Sequence, residues 1–270
     1  MTHGFVLIAL NSDIDYGRLA YACALSIKHS QPKDKNHVTV FTNDPAALSK
    51  YAVNAIDNIV HYQGPEGMDS RAQIYDLTPY EHTVFLDADM LILDPVDWGM
   101  LDNYYLYGAS QANNFKNESV PEYGPYRSVF EQYQLPNLYN AFTYFKKSDT
   151  RTMEFFELVK TMTAHPRDFI AKFLPGSTLL TLPTDESFAL AAKILDIDEE
   201  ITSDAISITH MKPRLQKWSC SDNWTSTVRL DVTNDGTVRV GAWNQQGFLH
   251  YVDKTAINDS ILTTLEELTC

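Results

Sequence analysis

The sequence predicts an α/β fold in which a mostly parallel central sheet is flanked by helices and followed by a C-terminal β-hairpin. Short apolar runs alternate with stretches of helical period through the first third of the chain, and this alternation is typical of parallel sheets. Apolar and polar residues alternate one by one in residues 228–243, around an Asn-Asp-Gly turn, which predicts the hairpin. A composition of 44% hydrophobic and 21% charged residues is that of a globular protein.

The first half of the chain predicts alternating strands and helices. Residues 5–10 (FVLIAL) form a continuous apolar run, as expected of a strand buried on both faces. The other predicted strands are residues 37–42, 58–62 and 83–86, and the predicted helices are residues 16–29, 46–55 and 69–77. Asp69 is the expected N-cap of the last of these helices.

The second half is less regular. Residues 108–139 form a long polar and aromatic stretch that includes Tyr123, Tyr126, Tyr133 and Tyr139. A segment of that length with little periodicity predicts a lid, a binding loop or an irregular helix. Helices are expected at residues 150–163, 186–195 (entered from Thr184) and 258–268, and strands at residues 203–209 and 248–251. The chain has no internal repeat and no clear linker, which favours a single domain over residues 1–270.

The net charge and the spacing of the cysteines argue against several classes of protein. Asp and Glu number 35 against 21 Lys and Arg, and the net charge of -14 argues against broad affinity for nucleic acid. Cys23, Cys220 and Cys270 are far apart and form no CxxC pair, so we expect reduced thiols rather than disulfides or a zinc site. The first apolar run is too short for a signal peptide, and no run reaches the roughly 18 apolar residues of a membrane helix. We therefore expect a cytoplasmic protein without a membrane span.

Two carboxylates interrupt an apolar run in TVFLDADMLIL, residues 83–93. Strand side chains alternate between faces, so Asp87 and Asp89 point the same way at the carboxyl edge of the sheet, where α/β sheets bind ligands. Two close carboxylates raise each other's pKa unless a cation lies between them, and oxygen ligands suit hard divalent ions that also accept phosphate. The pattern predicts a metal ion that holds a diphosphate. The alternative is that the two carboxylates only end a strand and hydrate a turn. A pattern as short as DxD often occurs without a metal site.

FLDADMLIL resembles the DxD segment of GT-A-fold glycosyltransferases, especially the retaining family 8 with glycogenin and the lipopolysaccharide galactosyltransferases. Four further segments resemble that family in the same order: NSDIDYGRLAYACALSIKH, YNAFTYFKKS, TDESFALAAKI and LHYVDK. The resemblance implies a Rossmann-like GT-A fold, with a nucleotide-binding half over residues 1–100 and a sugar and acceptor half over residues 101–270. Two departures stand out: Ala141-Phe142 replaces Ser-Gly, and the last segment is shorter than in the family and lacks its Gly.

The resemblance also implies a role for each matched residue. Asn140 and Asp185 would lie at the sugar and beside its reacting carbon, as the catalytic residues. The donor would be bound by Asn11, Ser12, Tyr16, Arg71, Asp87 and Lys254, and the metal by Asp87, Asp89 and His250. The implied reaction moves a hexosyl group from a nucleoside diphosphate sugar, expected to be a UDP-sugar, to an acceptor hydroxyl with retention. The expected ion is Mn²⁺ or Mg²⁺, and an imidazole ligand favours Mn²⁺. A carbohydrate is the first expectation for the acceptor, and a modified nucleic acid stays open.

Several of these residues have structural interpretations as well. Asp185 and Glu186 equally complement a helix dipole, Tyr16 suits a core, and Arg71 suits a solvated helix face. His210 competes with His250 as metal ligand, but its neighbours Lys212 and Arg214 disfavour a second cation.

The basic and aromatic cluster Lys212, Arg214, Lys217 and Trp218 is either a solvated loop or a contact for an anionic acceptor or for the donor phosphates. Rival functions are a haloacid dehalogenase-type phosphatase with a nucleophilic Asp and a catalytically idle module that binds sugar nucleotides. A nucleotidyltransferase would carry a Gly-rich loop where this chain has LNSDIDYG.

Overall fold

The structure is a computed structural model that describes residues 2–51, 55–65, 67–120 and 127–269. Tyr123, Tyr126 and Cys270 lie outside the described residues, as do positions 52–54 of the helix predicted over residues 46–55.

A nine-stranded sheet forms the centre of the molecule, in the order β3-β2-β1-β4-β7-β6-β8-β12-β5. Its strands are β1 His3–Ala9, β2 Val38–Thr42, β3 Asn58–His61, β4 His82–Leu86, β5 Met90–Ile92, β6 Leu106–Asn113, β7 Tyr139–Lys146, β8 Thr202–His210 and β12 Phe248–His250. Pairing is parallel from β3 to β4 and from β6 through β8 to β12, and β7 and β5 run antiparallel to their neighbours. The predicted mostly parallel sheet is confirmed.

The order of the strands requires the sheet to curl. Only Asp87-Ala88-Asp89, which we call the DAD turn, joins β4 to β5, yet β7, β6, β8 and β12 stand between those two strands. Four backbone steps span at most about 14 Å, whereas five strand spacings in a flat sheet cover about 24 Å. The sheet therefore bends round until β5 meets the end of β4, and the DAD turn lies where it closes.

The helices cover both faces of this sheet. They are α1 Tyr16–Ser30, α2 Pro45–Ser49, α3 Ile74–Leu77, α4 Trp98–Leu101, α5 Ser128–Tyr133, α6 Thr150–Ala164, α7 Pro166–Phe173, α8 Thr184–Leu195, α9 Asp198–Ile201, α10 Pro213–Gln216 and α11 Asp259–Thr269. Phe5 and Leu7 pack into one core with α1 and α11, and Val6 packs into a second core with α6 and α8. The apolar run of β1 is continuous because both of its faces are buried.

The predicted hairpin is present as a separate small sheet. Strands β9 Leu230–Val232, β10 Val238–Val240 and β11 Trp243–Asn244 pair antiparallel, in the order β11-β10-β9. Gly236 adopts φ +84°, which the tight turn between β9 and β10 requires. No helix of the described residues is both long and apolar enough to cross a membrane.

The structure corrects two of the predicted helices. The described part of the helix expected over residues 46–55 is the short α2, because the backbone N–H of Tyr51 bonds to Leu48 O and closes a turn after Ser49. In place of the helix expected over residues 69–77, the chain forms the 3₁₀ helix Gly67–Gln73 followed by α3. Asp69 therefore lies in the first turn of the 3₁₀ helix and is not an N-cap. Helix α7 follows α6 almost directly and was not predicted.

The prediction of an irregular segment over residues 108–139 is wrong at both ends of that range. Residues up to Asn113 continue β6, residues 128–133 form α5, and Tyr139 begins β7. The end of β6 lacks an apolar pattern because its polar side chains bond to β8. Ser110 Oγ donates to Ser203 O at 2.8 Å, and Asn113 Nδ2 donates to Ser207 Oγ at 3.1 Å.

Candidate functional site

Two cavities meet at the DAD turn. The larger, about 500 Å³, is lined by the end of β1 and the loop after it, and we call it the β1 cavity. The smaller, about 370 Å³, is lined by the start of α8 and of β7, and we call it the α8 cavity. Arg71, Asp87 and His250 line both cavities. The two cavities are therefore neighbours at the carboxyl edge of the sheet, and Asp87 of the DAD turn borders both.

Asp87, Asp89 and His250 each place a potential metal-ligand atom within 4.8 Å of the other two. The register of the sheet explains the arrangement. β12 pairs with β5 so that His250 lies opposite Met90, directly after Asp89. The His250 Nε2 atom lies 3.2 Å from Asp89 Oδ2 and 3.7 Å from Asp87 Oδ2. The curl of the sheet therefore brings together side chains that are far apart in sequence.

Each carboxylate of the DAD turn also has a cationic partner. Arg71 Nη2 lies 2.7 Å from Asp87 Oδ1, and Lys254 Nζ donates to Asp89 Oδ2. Burial raises the pKa of Asp87, although Arg71 and His250 partly oppose that shift. Burial also acts to raise the pKa of Asp89, but His250 and Lys254 outweigh it and hold that pKa below its ordinary value. Asp89 is thus the more firmly ionised of the two.

His210 stands behind His250. β8 and β12 pair with these two residues in register, and the two Nδ1 atoms lie 3.2 Å apart, so one ring donates to the other. Burial lowers the pKa of His210 well below its ordinary value, and His250 and Lys212 add to the shift. With its Nδ1 engaged by His210, His250 turns its Nε2 towards the two carboxylates. The structure therefore brings His250, rather than His210, to the DAD turn.

Asn140 and Asp185 line the α8 cavity together. The backbone N–H of Asn140 donates to Asp185 Oδ1 at 3.0 Å, and Thr143 Oγ1 donates to Asn140 Oδ1 at 2.6 Å. Within the described ranges, the buried Nδ2 of Asn140 has no hydrogen-bond partner. A buried amide donor without a partner is costly, and its place beside the cavity suits it to a ligand oxygen.

Arg127 is a residue of this site that the sequence did not indicate. Its side chain is buried, donates from Nη1 and Nη2 to Leu138 O at 2.9 Å, and donates from Nη2 to Asp185 Oδ2 at 2.9 Å. The guanidinium lies 3.8 Å from the centroid of the Tyr139 ring. It therefore fixes Asp185 against the start of β7. The sequence holds no local signal for it, because its carboxylate partner is 58 residues away.

The β1 cavity is lined by Asn11, Ser12, Tyr16 and Lys254, for which the resemblance implies contact with the donor. Asn11 Oδ1 accepts from the Gly17 backbone N–H at 2.9 Å, and the Asn11 N–H donates to Asn43 Oδ1 at 2.8 Å. These bonds tie the loop after β1 to the start of α1. The Lys254 ammonium lies 5.5 Å from the centroid of the Tyr16 ring. Asn43 was missed, although its position directly after β2 places it at the same edge of the sheet.

The basic and aromatic cluster divides in two. Lys212 lines the α8 cavity. Trp218 packs against Phe115, with ring centroids 5.3 Å apart, and therefore belongs to the core rather than to an open surface. Arg214 and Lys217 are exposed.

A second cluster of histidines and a carboxylate lies at the other end of β4. His82 Nδ1 is 2.9 Å and His3 Nε2 is 3.7 Å from Asp102 Oδ1. The His3 and His82 rings are stacked, with centroids 4.4 Å apart and planes inclined by 14°. A metal ion lies in the plane of each imidazole that binds it, so two nearly parallel rings do not converge on one ion without tilting. This geometry favours a hydrogen-bonded network over a metal centre.

Comparison with known proteins finds similarity in structure. No protein-family model and no curated protein matches the sequence. The crystal structure of the glycosyltransferase GlyE from Streptococcus pneumoniae TIGR4 is similar to 99% of this chain, with a TM-score of 0.52. This chain shares the fold of that glycosyltransferase. The sequence identity is 10%, so the similarity concerns the fold alone, and the match covers 60% of the length of the GlyE chain. Membership of family 8 stays a prediction.

Proposed function

We propose that the chain is a metal-dependent glycosyltransferase that moves a hexosyl group from a nucleoside diphosphate, taken to be UDP, to an acceptor hydroxyl with retention. The observation that carries this proposal is the placement of Asp87, Asp89 and His250 between two cavities at the carboxyl edge of a glycosyltransferase fold. One cavity would take the nucleotide, and the other would take the sugar and the acceptor.

The ligand atoms suit Mn²⁺ or Mg²⁺. Two carboxylates and one imidazole form a mostly oxygen set, which hard divalent ions prefer, and the imidazole favours Mn²⁺ over Mg²⁺. All three side chains are largely buried. The carboxylate of Asp87 already pairs with Arg71, and the carboxylate of Asp89 already pairs with Lys254. When bound, the ion would act as a Lewis acid that neutralises charge developing on the departing diphosphate.

Arg71 and Lys254 would add fixed positive charge at the diphosphate. Both line the β1 cavity, and both are now paired with the carboxylates of the DAD turn. A cation at those carboxylates would compete with Lys254 for Asp89, so the ammonium could turn to the phosphates instead. Tyr16, beside Lys254, would stack on the base.

Asn140 and Asp185 would position the sugar. The Asn140 amide donor faces no partner among the described residues, and the Asp185 carboxylate is held by Arg127 and by the Asn140 backbone. A donor and an acceptor fixed in this way suit recognition of sugar hydroxyls.

The direct test is hydrolysis of a panel of UDP-, GDP-, dTDP- and ADP-sugars in the presence and absence of Mn²⁺. We expect one nucleoside diphosphate to be released, only with metal, and Asp87→Ala and Asp89→Ala each to abolish the release. Activity near that of the wild type in either variant would contradict the assignment of the site. Metal-dependent cleavage of simple phosphate esters without sugar nucleotide turnover would support the phosphatase, and nucleotide binding without turnover would support the idle module.

A further inference from the structure

Glu186 is a carboxylate of the α8 cavity to which the proposed reaction has so far assigned no role. It lies in the first turn of α8, directly after Asp185, and lines the cavity together with Asn140, Asp87 and His250. It is partly buried. Among the described residues its carboxylate forms no salt bridge, and its own backbone N–H acts to lower its pKa.

The neighbouring carboxylate is in a different situation. Asp185 Oδ2 accepts from Arg127 and Asp185 Oδ1 accepts from the Asn140 backbone. Charge-assisted hydrogen bonds of this kind fix a carboxylate and offset its charge. Asp185 is therefore bound into the wall of the cavity, whereas Glu186 retains its capacity to interact with a ligand.

The electrostatics of Glu186 agree with this difference. An acidic residue in the first turn of a helix is ordinarily stabilised by the helix dipole. Here burial raises the pKa of Glu186, the charge of Asp185 adds to the shift, and Arg127 and Lys212 oppose it only in part. The protein thus leaves the ionised form of Glu186 under-stabilised, and an electron-poor group in the cavity would stabilise it.

We propose that the Glu186 carboxylate faces the transferred sugar and stabilises the positive charge that develops at its anomeric carbon. The inference rests on the proposed function. The bond between the anomeric carbon and the diphosphate oxygen breaks, and its electron pair leaves with the diphosphate. The acceptor oxygen bonds to the anomeric carbon, and its proton passes to the departing diphosphate. Glu186 forms no covalent bond and stays ionised throughout. Asp185 acts as a positioning residue, held by Arg127.

Glu186→Gln tests this role because it keeps the size of the side chain and removes its charge. We expect kcat for release of the nucleoside diphosphate to fall by about a hundredfold or more, with KM for the donor and the stabilisation by UDP and Mn²⁺ unchanged. In the wild type, kcat should fall as the pH drops through the raised pKa of Glu186, because only the ionised form acts, and the variant should lose the part of this acidic limb that comes from Glu186. Glu186→Asp should recover part of the rate.

The matched control is Glu199→Gln, which removes an exposed carboxylate from the first turn of α9. It should leave kcat within about twofold of the wild-type value, as expected of a solvated charge. A wild-type kcat in Glu186→Gln, or an equal loss in kcat and in nucleotide binding, would overturn the role of Glu186. Absence of any metal-dependent nucleotide binding in the wild type would instead overturn the proposed function.

Discussion

Strand β4 carries a cluster of histidine and aspartate side chains at each of its ends, and the two clusters differ in their surroundings. At the carboxyl end, Asp87 and Asp89 are less than 8% exposed, Asp87 and His250 border both cavities, and Asp89 borders the β1 cavity. At the amino end, Asp102 is half exposed, and neither its side chain nor those of its two histidines line these cavities. The residue types are similar, but only the first cluster combines convergent ligand atoms, burial and space for a ligand.

The comparison shows that burial and geometry, rather than residue type, distinguish a candidate site. In the DAD turn, burial raises the pKa of Asp87 while nearby cations lower that of Asp89, so two adjacent carboxylates titrate differently. In the amino-end cluster, the polar side chains instead form hydrogen bonds with neighbouring protein groups. Asp102 Oδ1 accepts from Tyr144 at 3.2 Å, and the His82 Nδ1 lies 2.9 Å from the same tyrosine hydroxyl. Matched substitutions in the two clusters can therefore test the assignment.

The largest difference is expected between His250→Gln and His82→Gln. Loss of the imidazole at the DAD turn removes a proposed metal ligand, so metal-dependent release of the nucleoside diphosphate should fall by about a hundredfold or more. His82→Gln should leave the rate within about twofold of the wild-type value. Steady-state kinetics with a saturating donor measure both. Equal rates in the two variants would contradict the assignment of the metal site to the carboxyl end of β4.

A smaller effect is expected from His210→Gln. The hydrogen bond between the two Nδ1 atoms orients His250, and loss of such a supporting bond typically weakens metal affinity by about 10–100-fold. Titration of Mn²⁺ followed by electron paramagnetic resonance measures the affinity without turnover, and His3→Gln is the control. If His210→Gln bound Mn²⁺ as tightly as the wild type, the orienting role would be wrong.

The smallest effect is expected on stability, from Asp102→Asn. The half-exposed carboxylate accepts from Tyr144 and lies 2.9 Å from His82 Nδ1, so its loss should lower the free energy of unfolding by about 1 kcal/mol and Tm by about 2–4 °C. Asp231→Asn, whose partner Arg229 is largely exposed, should change neither. Thermal unfolding without ligand compares them. A fall of the same size in the Asp231 variant would show that the amino-end network contributes nothing specific.

The sequence indicated the two carboxylates of the carboxyl-end cluster directly, because their signal is local. Asp87 and Asp89 interrupt an apolar strand, and that pattern needs no knowledge of the fold. His250, Asn140 and Lys254 came from the order of segments that resemble a family, and the structure places them around the two cavities. The elements with strong periodicity, such as α1, α6 and the β9–β10 hairpin, are likewise close to their predicted bounds.

The rest depends on contacts that no local pattern contains. Arg127 was hidden in a polar and aromatic stretch, and its place in the site follows from tertiary contacts such as those with Leu138 O and Asp185. The end of β6 was missed because hydrogen bonds to β8, rather than apolar packing, stabilise its polar residues. The difference between Asp185 and Glu186 follows from which of the two meets Arg127, and the sequence shows two adjacent acids without that contact.

The most direct test of the central claim is thermal unfolding of the wild type, Asp89→Asn and Asp102→Asn with UDP, in the presence and absence of Mn²⁺. Saturation at about 100 times Kd adds about 2.7 kcal/mol, which corresponds to a rise in Tm of about 5 °C or more. We predict this rise in the wild type and in Asp102→Asn only when both ligands are present, and no rise in Asp89→Asn. A rise of equal size in all three proteins, or one lost only in Asp102→Asn, would contradict a metal and nucleotide site at the DAD turn.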